Sequence, residues 1–306
     1  MKKKQNIYQI ILIVFIFIFL GIILCKKITP QFTEAFQIQT ATKSRIAIAT
    51  MMRNPVDLPL WLKYHREIGV VRFYIRVEDT PSCVEYLKDV KDVVLEVGKS
   101  DKSGNNYSSV IPRQVKYVNT ALKQALQSND IDWLYHIDSD ELLDGDIYIV
   151  DKIPKNIMTL KLENAEAIYD ENNETCFSAV NFLKCSQGAP CKSYVNGKSA
   201  GRVVSGVGLA GCHDFAFNDV INGDFQYKIP FDVLKVLHFE SCSFGGWVEK
   251  FHHMSKKDKG DMPFQYYKES IETTKNAFEL YKNIKMPPIS NFDKKQIYVK
   301  FEPRLI

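Results

Sequence analysis

An apolar strand runs directly into a group of acids in the stretch WLYHIDSDEL, residues 133–142. Trp133 to Ile137 is short and apolar, which is typical of a buried strand. Alternate side chains of an extended chain point to the same side, so Asp138 and Asp140 are expected to face one way, roughly 6–7 Å apart. Hard divalent cations prefer oxygen ligands of this kind. The stretch therefore predicts a strand that ends at a metal site.

Strands and helices alternate along the chain before this stretch. Strand-like runs start at Arg45, Val70 and Val93, and helical patterns follow Asp57 and Pro112. This alternation is the signature of an α/β fold, in which a parallel sheet carries helices on its faces. Ligands of such folds bind at the carboxyl ends of the strands, and the acids lie at that end of the fourth strand. The second half of the chain has a less regular pattern.

The composition is that of a globular protein. Of the 306 residues, 45% are hydrophobic and 25% are charged, which suits one large domain or two small ones. The formal net charge is +4, and the lysines around the first apolar segment account for more than that surplus. The rest of the chain is close to neutral, so a nucleic-acid partner is not expected.

A continuous apolar segment lies near the start of the chain. Residues 10–25 contain no polar side chain, and residues 7–9 can extend the segment by one turn. As a helix it reaches about 25–29 Å, close to the ~30 Å hydrocarbon core of a bilayer. Three lysines precede it and two follow, which slightly favours a cytoplasmic N-terminus. No small-x-small cleavage site precedes Lys26, so an uncleaved transmembrane anchor is favoured over a secretory signal peptide.

The predicted anchor defines the organisation of the chain. Five segments follow from it: a cytoplasmic tail at 1–6, the signal anchor at 7–25, a stem at 26–44, a folded domain at 45–290 and a C-terminal tail at 291–306. In this orientation the chain is a single-pass type II membrane protein, expected in the Golgi or the endoplasmic reticulum with a luminal domain. Glycosylation sequons at Asn106 and Asn173 are consistent with a luminal domain. Six cysteines lie beyond Cys25, and an oxidising compartment could pair them.

Two stretches resemble glycosyltransferase family 92 and the related family 2-like enzymes. In residues 53–70, RNPVDLPLWLKYHREIGV, a helix with a Trp-x-x-x-His pattern precedes a Gly-Val pair and a strand. The Ile-Asp-Ser-Asp-Glu-Leu run within residues 133–142 resembles the metal-binding motif of that family. Residues between 197 and 239 resemble its later Lys, Arg, His and His-aromatic elements. The resemblance covers roughly residues 45–255.

The resemblance implies a GT-A fold, a Rossmann-like mixed sheet flanked by helices with a less regular acceptor half. It implies a metal-dependent enzyme that moves a sugar from a nucleotide-sugar donor to a glycan or glycoconjugate acceptor, with inversion. Asp138 and Asp140 would bind Mn²⁺ or Mg²⁺ and the diphosphate, and His238 or His213 would complete the coordination. His238 is favoured because it follows a strand-like run, whereas His213 lies in a Gly-rich loop and could contact the sugar or the acceptor.

The other donor contacts are assigned to charged side chains. The family usually carries acids where Pro55 and Val77 stand here, and Glu78 and Asp79 lie just beyond Val77, where they could serve the base or the ribose. Cationic side chains could neutralise the diphosphate. The cationic candidates are Arg53, Arg113, Lys198, Arg202 and Lys250.

The acceptor hydroxyl needs a carboxylate base in an inverting transfer. Asp214 and Glu240 are the candidates for this catalytic role, and each flanks one of the two histidines. A carboxylate beside an imidazole could instead orient a metal ligand, so both roles stay open for each acid.

Two other functions stay open. A phosphohydrolase could use Asp138 as its nucleophile and Asp140 as its acid and base, although that chemistry usually places the motif after the first strand of a domain. A non-catalytic glycan-binding protein could retain the transferase fold, an alternative suggested by the missing acid at Pro55.

Overall fold

The computed structural model describes residues 43–100, 106–168, 176–179, 181–185, 195–239 and 297–299. The chain divides into two compact units, Met1–Lys43 and Ser44–Ile306, and the elements below belong to the second. The predicted anchor at residues 7–25 lies outside the described residues, as do most of the stem and of the C-terminal tail. In the part that is described, no helix is both long and apolar enough to span a bilayer.

Three α-helices, two 3₁₀ helices and fourteen strands lie within the described ranges. In chain order they are β1 (Ile46–Met52), α1 (Leu58–Ile68), β2 (Val70–Glu78), α2 (Pro81–Leu87), β3 (Val93–Gly98), α3 (Asn106–Ser128), β4 (Trp133–His136), β5 (Glu141–Gly145), a 3₁₀ helix (Ile147–Lys152), β6 (Thr159–Leu162), β7 (Asn164–Ile168), a 3₁₀ helix (Cys176–Ser178), β8 (Asn181–Cys185), β9 (Lys198–Arg202), β10 (Val207–Gly211), β11 (Asp214–Phe217), β12 (Gln226–Lys228), β13 (Leu234–His238) and β14 (Ile297–Val299).

The largest sheet has seven strands in the order β12-β6-β9-β4-β1-β2-β3. β1 pairs in parallel with β2 and β4, and β2 with β3, so the four strands predicted from the alternating pattern form one continuous parallel block. β9 runs antiparallel between β4 and β6 and makes the sheet mixed. A second sheet has the order β14-β8-β7-β13-β5, and β10 pairs with β11 separately. The predicted α/β class, with a mixed sheet flanked by helices, is confirmed.

Helix α1 begins and ends where the sequence predicts. The Asp57 carboxylate accepts a hydrogen bond from the Leu60 amide at 3.1 Å and caps the first turn. Gly69 ends the helix with a φ of 112°, a conformation that glycine adopts without steric cost. Both signals are local in sequence, which is why they predict the helix boundaries well.

The Trp-x-x-x-His pattern of α1 fixes strand β5. The Trp61 indole donates to the Glu141 carbonyl oxygen at 2.8 Å, and the Tyr64 hydroxyl donates to the Leu143 carbonyl oxygen at 2.8 Å. The Leu143 amide donates to Nε2 of His65 at 3.3 Å. Burial lowers the pKa of His65 to about 3, so the ring stays neutral and can accept this bond. These contacts fix the strand that begins directly after the acids.

Helix α3 covers the opposite face of the sheet, where a second core cluster includes the small side chains of Ala47 and Ala49. The helix starts at Asn106, earlier than the expected start after Pro112, and Pro112 lies inside it. A proline has no amide hydrogen, so one bond of the helix is missing there. Gln114, which contacts Asp138, lies just beyond this proline.

The cysteines are not all paired. Cys176 is disulfide-bonded, whereas Cys83 and Cys212 are free thiols. The even number of cysteines beyond the apolar segment therefore does not reflect complete pairing.

Candidate functional site

The acids lie where the strand order of the main sheet reverses. From β1 the chain builds outward through β2 and β3, and then returns to place β4 on the other side of β1. In open α/β sheets such a reversal leaves a crevice at the carboxyl ends of the strands, and ligands bind there. β4 ends at His136, so Asp138 lies at this crevice, as the sequence predicts.

Residues 137–140, called the acidic turn below, connect β4 of the main sheet to β5 of the second sheet. The Glu141 amide donates to the Asp138 carbonyl oxygen at 3.2 Å, which closes the turn. The expectation that Asp138 and Asp140 continue the strand is therefore wrong. The chain turns because β5 pairs with β13 rather than with the main sheet. As a result, the two carboxylates contact different partners.

Asp138 contacts two side chains that arrive from distant parts of the chain. Gln114 of α3 donates to its Oδ1 at 2.9 Å, and the Lys198 ammonium, at the start of β9, pairs with its Oδ2. Burial alone would raise the pKa of Asp138, but the Lys198 charge holds it well below its ordinary value. Asp138 is therefore an ionised carboxylate.

Asp138, Glu141 and Lys198 form the group called the lysine cluster below. Lys198 is 1% exposed, and its ammonium lies 3.4 Å from the Glu141 carboxylate. Glu141 also accepts from the Asp138 amide at 2.7 Å. Burial raises the pKa of Glu141 to about 7, against the opposing effect of Lys198. The predicted contact of Lys198 with a diphosphate does not fit this environment, because two carboxylates already bind its ammonium.

Asp140 faces His238 at the end of β13. Nε2 of His238 lies 3.6 Å from Oδ2 of Asp140, and Nδ1 lies 2.8 Å and 2.9 Å from the two carboxylate oxygens of Glu166 on β7. The Phe239 amide donates to the Asp140 carbonyl oxygen at 2.8 Å and joins the acidic turn to the end of β13. Burial alone would lower the pKa of His238, but the Glu166 and Asp140 carboxylates raise it well above its ordinary value.

The spacing of Asp140 and His238 fits a shared divalent cation, which would displace a proton that the raised pKa keeps on the His238 ring. Two ligand atoms about 2.1 Å from one ion, at angles of about 90–120°, lie about 3.0–3.6 Å apart, and the observed N to O separation is 3.6 Å. No group of three or more His, Cys, Asp or Glu side chains that could bind a metal occurs among the described residues. Mg²⁺-type ions are commonly bound by one or two carboxylates together with substrate phosphates. The donor set therefore fits an ion that also needs ligands from a substrate.

His213 lies beside the lysine cluster and is neutral. Its Nδ1 lies 2.8 Å from the Gly197 carbonyl oxygen, and burial, with the nearby Lys198 charge, lowers its pKa to about 4. The neighbouring Asp214 forms an ion pair with Lys161, whose ammonium also donates to the His213 carbonyl oxygen at 3.0 Å. Asp214 is therefore already paired with a cation.

Replacing Gly197 with Ala is expected to destabilise the fold beside the cluster. Gly197 has a φ of +59°, and a Cβ there would overlap the carbonyl oxygen of Leu162. Such backbone strain costs about 1–3 kcal/mol, and the overlap adds to it. Urea unfolding would measure the change in the free energy of unfolding. Gly211→Ala is the matched control, since a Cβ at Gly211 has no atom of the described chain within 4 Å; an equal loss in both variants would contradict the expectation.

At the end of β2, Glu78 and Arg113 bind each other. Arg113 donates to the Glu78 carboxylate from Nε at 3.0 Å and from Nη2 at 3.1 Å, and Arg76 adds a second ion pair. Glu78 is 3% exposed. The predicted contacts of Glu78 and Arg113 with the donor therefore do not fit. Asp79 is exposed, and its carboxylate accepts hydrogen bonds from Ser100. It therefore remains a candidate contact for the base or the ribose of the donor.

Of the remaining cationic candidates, Arg202 and Arg53 lie within the described residues. Arg202 lies opposite Trp133 in the antiparallel pairing of β9 with β4, at the other end of both strands from the acids. Its guanidinium stacks on the Trp133 ring at 4.5 Å, so the predicted diphosphate contact does not fit. Arg53 is exposed and follows β1. Glu240 and Lys250 lie outside the described residues.

Four residues of this region carry no prediction from the sequence. Gln114, Glu141 and Glu166 contact the candidate ligands, and His136 lies directly before the acidic turn. Nδ1 of His136 lies 2.9 Å from the Ala49 carbonyl oxygen, and its buried Nε2 has no hydrogen-bond partner among the described residues. Of these four residues, only Glu141 could have been identified from the sequence, because it belongs to the acidic run itself.

Comparisons with known proteins leave the family open. No protein-family model matches the chain, and no curated protein matches it significantly. Among solved structures, a proposed glucose-1-phosphate thymidylyltransferase from Bacillus anthracis, in complex with a sucrose, is similar at 12% identity and a TM-score of 0.29, covering 52% of this chain and 71% of its own. HddC from Yersinia pseudotuberculosis has 10% identity and a TM-score of 0.26, covering 45% and 68%. Rv0371c from Mycobacterium tuberculosis H37Rv has 10% identity and a TM-score of 0.26, covering 41% and 68%. At these values the likeness carries no argument about function, and the resemblance to glycosyltransferase family 92 stays a prediction.

Proposed function

We propose that this chain is a metal-dependent glycosyltransferase of the GT-A type. It would move a sugar from a nucleotide-sugar donor to a glycan or glycoconjugate acceptor, with inversion at the anomeric carbon. The observation that carries the proposal is the pairing of Asp140 with His238, 3.6 Å apart, at the crevice where the strand order reverses. A cation that needs further ligands from a diphosphate suits a reaction whose leaving group is a nucleoside diphosphate.

Asp140 and His238 would bind Mn²⁺ or Mg²⁺ together with the donor diphosphate. The bound cation would supply positive charge to the diphosphate as it leaves. Asp138 has a different task in this proposal, because Lys198 and Gln114 already orient its carboxylate. It presents a fixed negative charge and a partly exposed edge, 33% by side-chain area, toward the crevice.

The acceptor hydroxyl requires a carboxylate base. The base would take the hydroxyl proton while the oxygen attacks the anomeric carbon, and the electron pair of the breaking bond would leave with the diphosphate. Asp214 and Glu240 remain the two candidates. Asp214 is in an ion pair with Lys161, and Glu240 lies outside the described residues.

The apolar segment at residues 7–25 supports a second part of the proposal. We place the catalytic domain on the luminal side of a Golgi or endoplasmic reticulum membrane, as a type II protein, since the lysine distribution favours a cytoplasmic N-terminus.

Release of nucleoside diphosphate from a panel of nucleotide sugars tests this function. With Mn²⁺ present, the purified full chain is expected to release it from one donor or a few, and EDTA is expected to stop the reaction. A phosphomonoester is included in the same panel. Phosphate release from that compound would support the phosphohydrolase instead, and no release from any compound would support the non-catalytic glycan-binding protein.

A further inference from the structure

We infer that Asn119 is a positioning residue, which fixes the β10–β11 hairpin so that its turn, residues 212–213, forms one wall of the crevice beside the lysine cluster. The inference rests on the proposed function only in naming the nucleotide-sugar donor that would contact this wall. Asn119 lies on α3, 90 residues from its partner Leu209 on β10, so no local pattern in the sequence indicates the contact.

The Asn119 carboxamide makes two hydrogen bonds to one residue of β10. Its nitrogen donates to the Leu209 carbonyl oxygen at 3.0 Å, and its Oδ1 accepts from the Leu209 amide at 2.7 Å. A residue of a neighbouring strand would exchange the same two bonds in an antiparallel pair. Leu209 is 3% exposed, and buried backbone groups need such partners. One side chain of α3 therefore takes the place of a strand beside β10.

The hairpin depends on contacts of this kind for its position. β10 and β11 form a two-stranded sheet of their own, apart from the two larger sheets. A hairpin of two strands is marginally stable by itself. On the β11 side, the Phe215 amide donates to the Ser199 hydroxyl of β9 at 3.0 Å. Asn119 supplies the corresponding contact on the β10 side, so α3 and β9 together fix both strands.

A bulge lies between the Asn119 contact and the turn. β10 advances by two residues between Leu209 and Gly211. The paired residues of β11, Phe215 and Asp214, advance by one, so Ala210 is the extra residue of the bulge. A bulge bends its strand and redirects the chain that follows, and bulges are common beside active sites. The direction in which the turn projects therefore depends on where β10 is fixed just before the bulge.

The turn of the hairpin lies against the lysine cluster. Nδ1 of His213 lies 2.8 Å from the carbonyl oxygen of Gly197, the residue before Lys198. The Lys161 ammonium donates to the His213 carbonyl oxygen at 3.0 Å. A shift of β10 would therefore move the turn relative to the exposed edge of Asp138 and change the width of the crevice at that point.

Hydrogen exchange of the full chain, followed by mass spectrometry, tests the inference. Asn119→Leu has a similar side-chain volume without polar atoms, and it is expected to speed exchange in residues 207–217 by about 10- to 100-fold, the effect of losing two backbone contacts. Exchange in β1 should stay at the wild-type rate. Asn119→Gln retains both polar groups and is expected to lose less. Thr120→Val is the matched control, because the Thr120 hydroxyl donates to the Lys116 carbonyl oxygen of the same helix at 2.9 Å.

Donor kinetics separate positioning from a merely structural role. Asn119→Leu is expected to lower kcat/KM for the donor by about 10- to 100-fold, mainly through KM, because the turn is displaced while Asp140 and His238 keep their places. Unchanged exchange in the hairpin, equally faster exchange in β1, or an unchanged KM beside faster hairpin exchange would overturn the inference. If the wild type cleaves no nucleotide sugar, the proposed transfer fails, and the exchange pattern alone then decides the role of Asn119.

Discussion

Replacing Asp140 with Asn is expected to abolish metal-dependent cleavage of the donor while leaving the fold intact. The amide is neutral and binds a divalent cation more weakly than a carboxylate, so the charge that would stabilise the leaving diphosphate is lost. Removing one such stabilising group typically costs about 100-fold or more in rate. The Asp140 side chain is 27% exposed, so the substitution should leave the thermal midpoint close to that of the wild type. Nucleoside diphosphate release at several Mn²⁺ concentrations measures the effect.

Ser139 offers a control for this prediction within the same turn. Ser139→Ala changes the acidic turn without removing a candidate ligand, so its rate should stay close to that of the wild type. Higher Mn²⁺ should restore part of the lost rate in Asp140→Asn, because weakened binding can be offset by concentration. An unchanged rate in Asp140→Asn would contradict the assignment of the metal site to the acidic turn.

The parallel part of the fold could be predicted because its signals are local. Each of β1 to β4 is a short apolar run, and α1 has a capping acid at Asp57 and a glycine at Gly69 at its ends. Such signals depend on neighbours within one or two turns of chain, which the sequence displays directly. The position of the acids at the carboxyl end of β4 followed from the same reasoning.

The contacts around the acids could not be predicted, because they depend on which strands pair. The antiparallel direction of β9 brings Lys198 to the site and takes Arg202 to the far end, and no local pattern specifies that direction. Glu166 meets His238 only because β13 lies between β5 and β7. The acidic turn itself results from the change of sheet after β4.

The ion pair at the end of β2 could not be predicted from the sequence either. Glu78 and Arg113 are each attractive as donor contacts when considered alone, since Glu78 ends β2 and Arg113 follows Pro112 in α3. They are 35 residues apart and bind each other. A buried carboxylate is expected to have such a partner, but the sequence does not identify which cation it is.

Replacing Lys198 with Met is expected to lower the free energy of unfolding by about 3 kcal/mol, the lower end of the range for breaking a buried ion pair. The lower end applies because Asp138 is 33% exposed and recovers some hydration. Glu141 would lose the Lys198 ammonium, which lowers its pKa, so that pKa would rise further above the present value of about 7. A carboxyl that binds a proton more tightly in the folded chain stabilises the fold at low pH, and that stability is lost as pH rises through its folded pKa. Urea unfolding should therefore find the variant less impaired at pH 5 than at pH 8.

A second substitution and a matched lysine show whether the cluster, rather than the loss of a lysine, explains the effect. Adding Glu141→Gln to Lys198→Met removes one of the two stranded carboxylates and is expected to recover part of the stability and flatten its pH dependence. Lys235 is also buried, 3% exposed, and pairs with Asp144 at 3.0 Å in the second sheet. Lys235→Met should cost stability as well, but it should leave donor cleavage unchanged, because Lys235 pairs with Asp144, at the opposite end of β5 from the acidic turn. Equal loss of cleavage in both lysine variants would mean that Lys198 acts through stability alone and does not orient Asp138.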